Sequence, residues 1–121
     1  MTPMALWQRY AAIWSLPADA REGELKACVA EDVVYCDPHG VIEGSASLSD
    51  YMSGFQTSVP GGQFQIVSVL DHHGRMLAHW NLAGPEGRSI QSGASFALMT
   101  KDGRLTAISG FFPLPSSRDE L

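Results

Sequence analysis

The chain has 121 residues, 45% of them hydrophobic and 17% charged, and 13 acidic against 8 basic side chains give a formal net charge of −5. That length suits one core and no second domain. The acidic balance argues against a nucleic-acid footprint, and no apolar run approaches the ~20 residues needed to span a bilayer. The first residues, MTPMALWQRYAAIW, lack the layout of a secretory signal, so the closing Arg118-Asp119-Glu120-Leu121 reads as a chance likeness to a retention tag. Cys28 and Cys36 have no metal or redox spacing, and reduced, packed thiols in a cytoplasmic setting are expected.

Thr2 and Pro3 form a helix start, a capping side chain followed by proline at the first helical position. Leu6, Trp7, Tyr10, Ile13 and Trp14 then recur at spacings of three and four, one apolar stripe that Pro17 ends. A second helix is expected from Asp19, with Glu22 completing a capping box and Leu25, Cys28 and Val29 on its buried side. Residues 33–36 read as a short strand ending at Asp37-Pro38, because the residue before proline is pushed out of the helical region. His39-Gly40 turns the chain into a brief extended Val41-Ile42. Leu48, Tyr51, Met52 and Phe55 mark a third helix, with Ser45 or Ser47 as its cap.

The second half changes period. Residues 64–70, 75–83, 90–100 and 105–112 are strand-like, separated by Asp71-His72-His73-Gly74, Gly84-Pro85-Glu86-Gly87 and Lys101-Asp102-Gly103. Connections this short predict an antiparallel four-stranded meander. The expected fold is α+β: three helices on a curved four-stranded sheet plus the short early strand, forming one domain over 3–113. A polar tail, 114–121, is expected to fray. A helix across the concave face of such a sheet leaves an apolar pocket with a few polar groups.

Gln8-Arg9-Tyr10, Tyr35-Cys36-Asp37-Pro38-His39-Gly40, Gly44, and Gly103-Arg104-Leu105 through Gly110-Phe111-Phe112 together resemble the nuclear transport factor two-like superfamily. That superfamily includes SnoaL-like polyketide cyclases, ketosteroid isomerase and limonene epoxide hydrolase. The resemblance implies a cone-shaped α+β barrel, a small hydrophobic ligand, no cofactor and a homodimer through the outer sheet face. It implies less about reaction, since the fold hosts enzymes, binding modules and transport factors.

Asp37 matches the isomerase's general base, and a carboxylate at a strand end beside a pocket, partly shielded from water, suits that work. The plainer alternative is an Asp-Pro turn whose carboxylate bonds its own backbone N–H groups. Tyr10 matches the oxyanion-hole tyrosine; otherwise it is a core phenol bonded to a carbonyl. The isomerase's second donor, a protonated acid, is replaced by Ser95, with Ala94 its neighbour if a bulge shifts the register. Losing one such donor can cost roughly 2.7–4 kcal/mol of transition-state stabilisation. Epoxide hydrolysis is excluded, because Asn81, His79 and Gly110 stand where that enzyme has its Asp-Arg-Asp arrangement.

Strand alternation puts His79 and Asn81 on one face, opposite Met76, Ala78, Trp80 and Leu82. The resemblance turns the His79/Asn81 face to the pocket, where an imidazole could act as acid or base near neutrality. Otherwise His79 bonds across the sheet or sits at a dimer interface. Trp14, His39, Phe55, Ser95 and Phe112 complete the expected ligand contacts, with His39 also readable as a plain turn residue. His72-His73 points its imidazoles to opposite sides if extended, so no metal site is expected. Two readings follow: a cofactor-independent isomerase, cyclase or dehydratase using Asp37, Tyr10 and His79, or a non-catalytic module that binds a small apolar ligand or docks a partner.

Overall fold

The computed structural model describes residues 1–114. Helix α1 spans Pro3–Ile13, with the Thr2 hydroxyl accepting from the Ala5 N–H at 3.1 Å. Helix α2 spans Ala18–Cys28 with Pro17 at its cap and no side-chain cap bond, so the expected Asp19/Glu22 box is not used. Starting one residue earlier puts Asp19 inside the first turn, where its charge still complements the helix dipole. Helix α3 spans Ser45–Ser58, and its cap is Gly44 at φ 92° rather than Ser45 or Ser47. That left-handed backbone is open to glycine and costly for most other residues.

The strands are β1 Val34–Asp37, β2 Gly40–Glu43, β3 Gln63–His72, β4 Arg75–Ala83, β5 Ser89–Met99 and β6 Leu105–Phe111. They form one six-stranded sheet in the order β2-β1-β6-β5-β4-β3. The α+β class and the β3–β6 meander hold, but the sheet has six strands, not four and a separate early piece. Strand β1 joins the meander by running parallel to β6, pairing Tyr35 with Ile108 and Cys36 with Ser109. Strand β2 then folds back on β1 as a hairpin, Val34 opposite Glu43. A parallel pairing across some seventy residues leaves no local turn signal, which is why spacing alone did not reveal it.

Register shifts interrupt β3 between Ile66 and Ser68, β4–β5 between Leu82 and Ala83, and β5–β6 between Ala97 and Met99. Bulges sharpen twist, and here they curl the sheet around the helices. The core lies between them: Trp7 and Ile13 of α1, Leu48 and Met52 of α3, and Met76, Ala78, Ala97 and Ile108 of the sheet are essentially sealed from water. Arg21 is buried among the helices, donating to the Leu16 and Ser49 carbonyls and to the Ser49 and Ser53 hydroxyls.

The convex face is different. Leu70, Leu77 and Phe96 face one another across three strands, with Leu70 65% exposed, and Phe111 on β6 is 62% exposed. Among the described residues no helix is long and apolar enough to cross a membrane. Of the expected tail only Leu114 is described; Arg118–Leu121 lies outside the described residues.

Candidate functional site

Helices α1 and α3 and the concave sheet face line a half-open cavity of about 610 Å³. Its wall is aromatic. The Trp14 ring lies 5.6 Å from Tyr35, 6.1 Å from Tyr51, 5.5 Å from Phe55 and 5.6 Å from Phe64. Trp80 and Phe112, 6.0 Å apart, line the sheet side. Edge-to-face packing of this kind fixes ring orientation and so keeps the hollow open as a defined shape.

Asp37 reaches this cavity from the end of β1. Tyr35, two residues earlier and therefore on the same face of the strand, donates its hydroxyl to Asp37 Oδ2 at 2.7 Å. The Tyr51 hydroxyl, from α3, lies 2.9 Å from Oδ1 and 2.8 Å from Oδ2. The His39 N–H donates to Oδ1 at 2.8 Å, closing the turn that the Asp-Pro pair suggests. The carboxylate thus accepts from three donors on two sides while still bordering the cavity. Gly110 lies beside it: a Cβ there would stand 3.6 Å from both Asp37 Cβ and Ser95 Oγ. Hydrogen at this position keeps the floor between the acid and the serine clear.

Tyr10 lines the same cavity and is buried, and among the described residues its hydroxyl has no hydrogen-bond partner. Burial pushes its pKa well above the ordinary phenol value; the nearby Trp14 indole acts in the opposite sense and the Asp37 charge adds to the rise. Burial likewise raises Tyr35, helped by Tyr10 and by its bond to Asp37, and raises Tyr51, again with the Asp37 bond contributing. All three phenols are therefore neutral donors across the physiological range. Ser95 is buried on the cavity side, its Oγ accepting from the Trp80 indole N–H at 3.0 Å.

The structure brings Asp37, Tyr10, Trp14, His39, Phe55, Ser95 and Phe112 to one cavity, with the His39 ring 5.7 Å from Phe112 at the rim. It does not bring His79 and Asn81 there. Both point out from the convex face: His79 Nδ1 lies 3.4 Å from Ser68 Oγ on the neighbouring strand, and Asn81 bonds Gln65, Ser89 and Ser92. Trp80 and Leu82 face inward instead. The cause is burial: an apolar set of Met76, Ala78, Trp80 and Leu82 gains more from the core than a polar pair does. The two hairpin imidazoles also differ from expectation. His73 adopts φ 48°, which brings its Nδ1 to 3.2 Å from that of His72, but no third metal-ligating group joins them among the described residues.

Tyr35 and Tyr51 are the site residues that the sequence reading did not single out. The Tyr-x-Asp spacing on β1 was a usable signal, since alternation sends both side chains to one face. Nothing local links Tyr51 to Asp37.

The profile of the SnoaL-like domain matches residues 7–108. The chain belongs to the SnoaL-like family. No curated protein matches this family member in sequence. Among solved structures it is similar to a candidate isomerase of the SnoaL-like family from Agrobacterium tumefaciens, at TM-score 0.85 and 23% identity over 94% of this chain and 100% of that one. A candidate SnoaL-like polyketide cyclase from Jannaschia sp. CCS1 aligns at TM-score 0.70 and 11% identity, covering 93% and 89% of the two chains. TerC, crystallised with polyporic acid, aligns at TM-score 0.67 and 14% identity, covering 89% and 91%. At these identities the likeness of the SnoaL-like chain to each is a likeness of fold.

Proposed function

We propose that this SnoaL-like protein is a cofactor-independent isomerase, cyclase or dehydratase acting on a hydrophobic carbonyl compound. The observation that carries the reading is that Asp37 and Tyr10 both line one half-open aromatic cavity. Asp37 takes a proton from the carbon next to the carbonyl. The C–H electron pair moves into the new C=C bond, and charge collects on the carbonyl oxygen. Tyr10, held neutral, donates a hydrogen bond to that oxygen as the charge develops. Returning the proton to another carbon isomerises the substrate; attack of the enolate on a second carbonyl cyclises it. TerC's crystallisation with polyporic acid and the candidate isomerase and cyclase among its structural relatives support a small-molecule role.

Hydrophobic cyclic ketones incubated with the protein in D2O test this by deuterium uptake beside the carbonyl. Asp37→Asn should abolish the uptake, and Tyr10→Phe should slow it by roughly 100-fold or more, the usual effect of losing one oxyanion donor. Tight binding with no uptake for any ketone would overturn the catalytic reading. It would favour a binding protein instead, a reading supported by the three donors that already occupy the Asp37 oxygens.

The same reading includes a homodimer through the convex face, on which Leu70, Phe96 and Phe111 are exposed. His79 belongs to that face and takes no part in the chemistry. A cytoplasmic location fits the two free thiols, Cys28 and Cys36.

A further inference from the structure

Two carboxylates line the cavity, and neither Lys nor Arg does. Half-buried Asp37 comes from the end of β1, and exposed Asp50 comes from α3. Among the described residues, ion pairs form between Arg9 and Glu24 and between Arg104 and Asp102, and the two cavity acids take part in none. The three donors that hold Asp37 are the Tyr35 and Tyr51 hydroxyls and the His39 backbone N–H, all of them neutral. They orient the carboxylate without cancelling its charge. A charge drawn partly out of water is ordinarily paired, and this one has no basic partner in the fold.

The walls decide which kind of cation suits the space. A metal ion needs several converging ligands, and among the described residues no group of three His, Cys, Asp or Glu side chains could hold one. The lining is mainly aromatic instead, with Trp14, Tyr51, Phe55, Phe64 and Trp80 prominent in it. Aromatic rings attract an ammonium group electrostatically and also take up the carbon attached to it. A volume of about 610 Å³ suits a small organic molecule rather than a bare ion.

We infer that the cavity binds an organic ammonium, a protonated amine carried on an apolar body, with the charges of Asp37 and Asp50 as its complement. The same electrostatics disfavour a ligand that bears a carboxylate or a phosphate. This goes beyond the proposed reaction, because it concerns the ligand's charge and stands whether or not Asp37 moves a proton. A ketone that also carries a basic amine satisfies both.

The test uses naphthylmethylamine, naphthylmethanol and naphthoate, which share one ring system and at neutral pH are cationic, neutral and anionic. Calorimetric titration should show the amine binding about tenfold tighter than the alcohol, and the carboxylate about tenfold weaker than the alcohol. Added salt should narrow both gaps. Asp37→Asn and Asp50→Asn, which keep shape and remove one charge each, should each cut the amine's advantage over the alcohol about threefold. Glu22→Gln removes an exposed charge of α2 that is not part of the lining, and it should leave that advantage unchanged.

Equal affinity for amine and alcohol, tighter binding of the carboxylate, no saturable binding of the amine, or an equal loss in Glu22→Gln would each overturn the inference. If Asp37→Asn fails to fold, Asp50→Asn and the ranking of the three probes on the native protein decide the question. Amine preference without deuterium uptake from any ketone would leave this inference standing and remove the proposed reaction; uptake without that preference would do the reverse.

Discussion

The Tyr51 hydroxyl on α3 lies within 2.9 Å of both oxygens of Asp37, fourteen residues earlier at the end of β1. With Tyr35 bonded from the strand side, the acid is gripped between a helix and a sheet. Its orientation is therefore set by two elements that would otherwise shift against each other.

That grip predicts unequal costs. Hydrogen bonds to charged groups are worth about 1.5–3 kcal/mol when buried, and less when water can replace them. Tyr35→Phe, at a buried position, should lower stability by about 2 kcal/mol, and Tyr51→Phe, at a half-buried one, by about 1 kcal/mol. Denaturant unfolding of the two variants measures both. Losses within error for the two would show that the bonds do not persist in solution.

Alkali should expose the phenols together. The chain has 3 tyrosines, at 10, 35 and 51, and each has its pKa raised, mainly by burial. The folded state holds these protons more tightly than the unfolded chain, so the contribution is complete below an unfolded phenol pKa of about 10 and is lost as pH climbs beyond it. For buried Tyr10 and Tyr35 the folded-to-unfolded ratio should fall roughly tenfold per residue for each pH unit above that point. Tyrosinate absorbance should therefore appear late and in step with loss of near-UV circular dichroism. A smooth titration centred near the free-phenol value, with the fold intact, would contradict the burial of the site.

Gly93 is a packing constraint. A Cβ there would strike the Trp80 ring and stand 2.6 Å from the Phe111 carbonyl oxygen. Because one obstacle is backbone, the strain cannot be relieved by a side-chain rotation alone. Gly93→Ala should cost about 1–3 kcal/mol and push Trp80 into the cavity, weakening binding of any ligand. Thermal unfolding together with Trp80 fluorescence checks this; an unperturbed variant would mean that the two strands can separate freely.

The convex face can be tested without touching the cavity. On the proposed homodimer, Phe111→Lys should yield monomers in sedimentation experiments while leaving ketone binding unchanged. An unaltered sedimentation coefficient would remove this face as the interface.

The helices and the last four strands were readable because their signals are local. Trp7, Tyr10 and Trp14 repeat at helical spacing, and short polar turns bracket β4 and β5. What escaped was set by distant partners. Strand β1 owes its place to β6, and the Asp37–Tyr51 bond depends on how α3 lies over the sheet. The inward face of β4 is the instructive case. The residues alone, with Met76, Ala78, Trp80 and Leu82 opposite His79 and Asn81, pointed to the observed orientation. The analogy with distant relatives pointed the other way, and burial of apolar surface decided it. Of the cavity lining, Asp37 and Tyr10 were legible through the family resemblance, whereas the donors around Asp37 needed the assembled fold.

The parallel pairing of β1 with β6 has a consequence for biosynthesis. A ribosome releases Asp37 long before it releases Ser109 and Gly110, so β1 waits without its β6 neighbour through most of translation. Fragments that end before β6 should be unable to hold ligand at all, and closure of the binding chamber should coincide with completion of the fold rather than precede it.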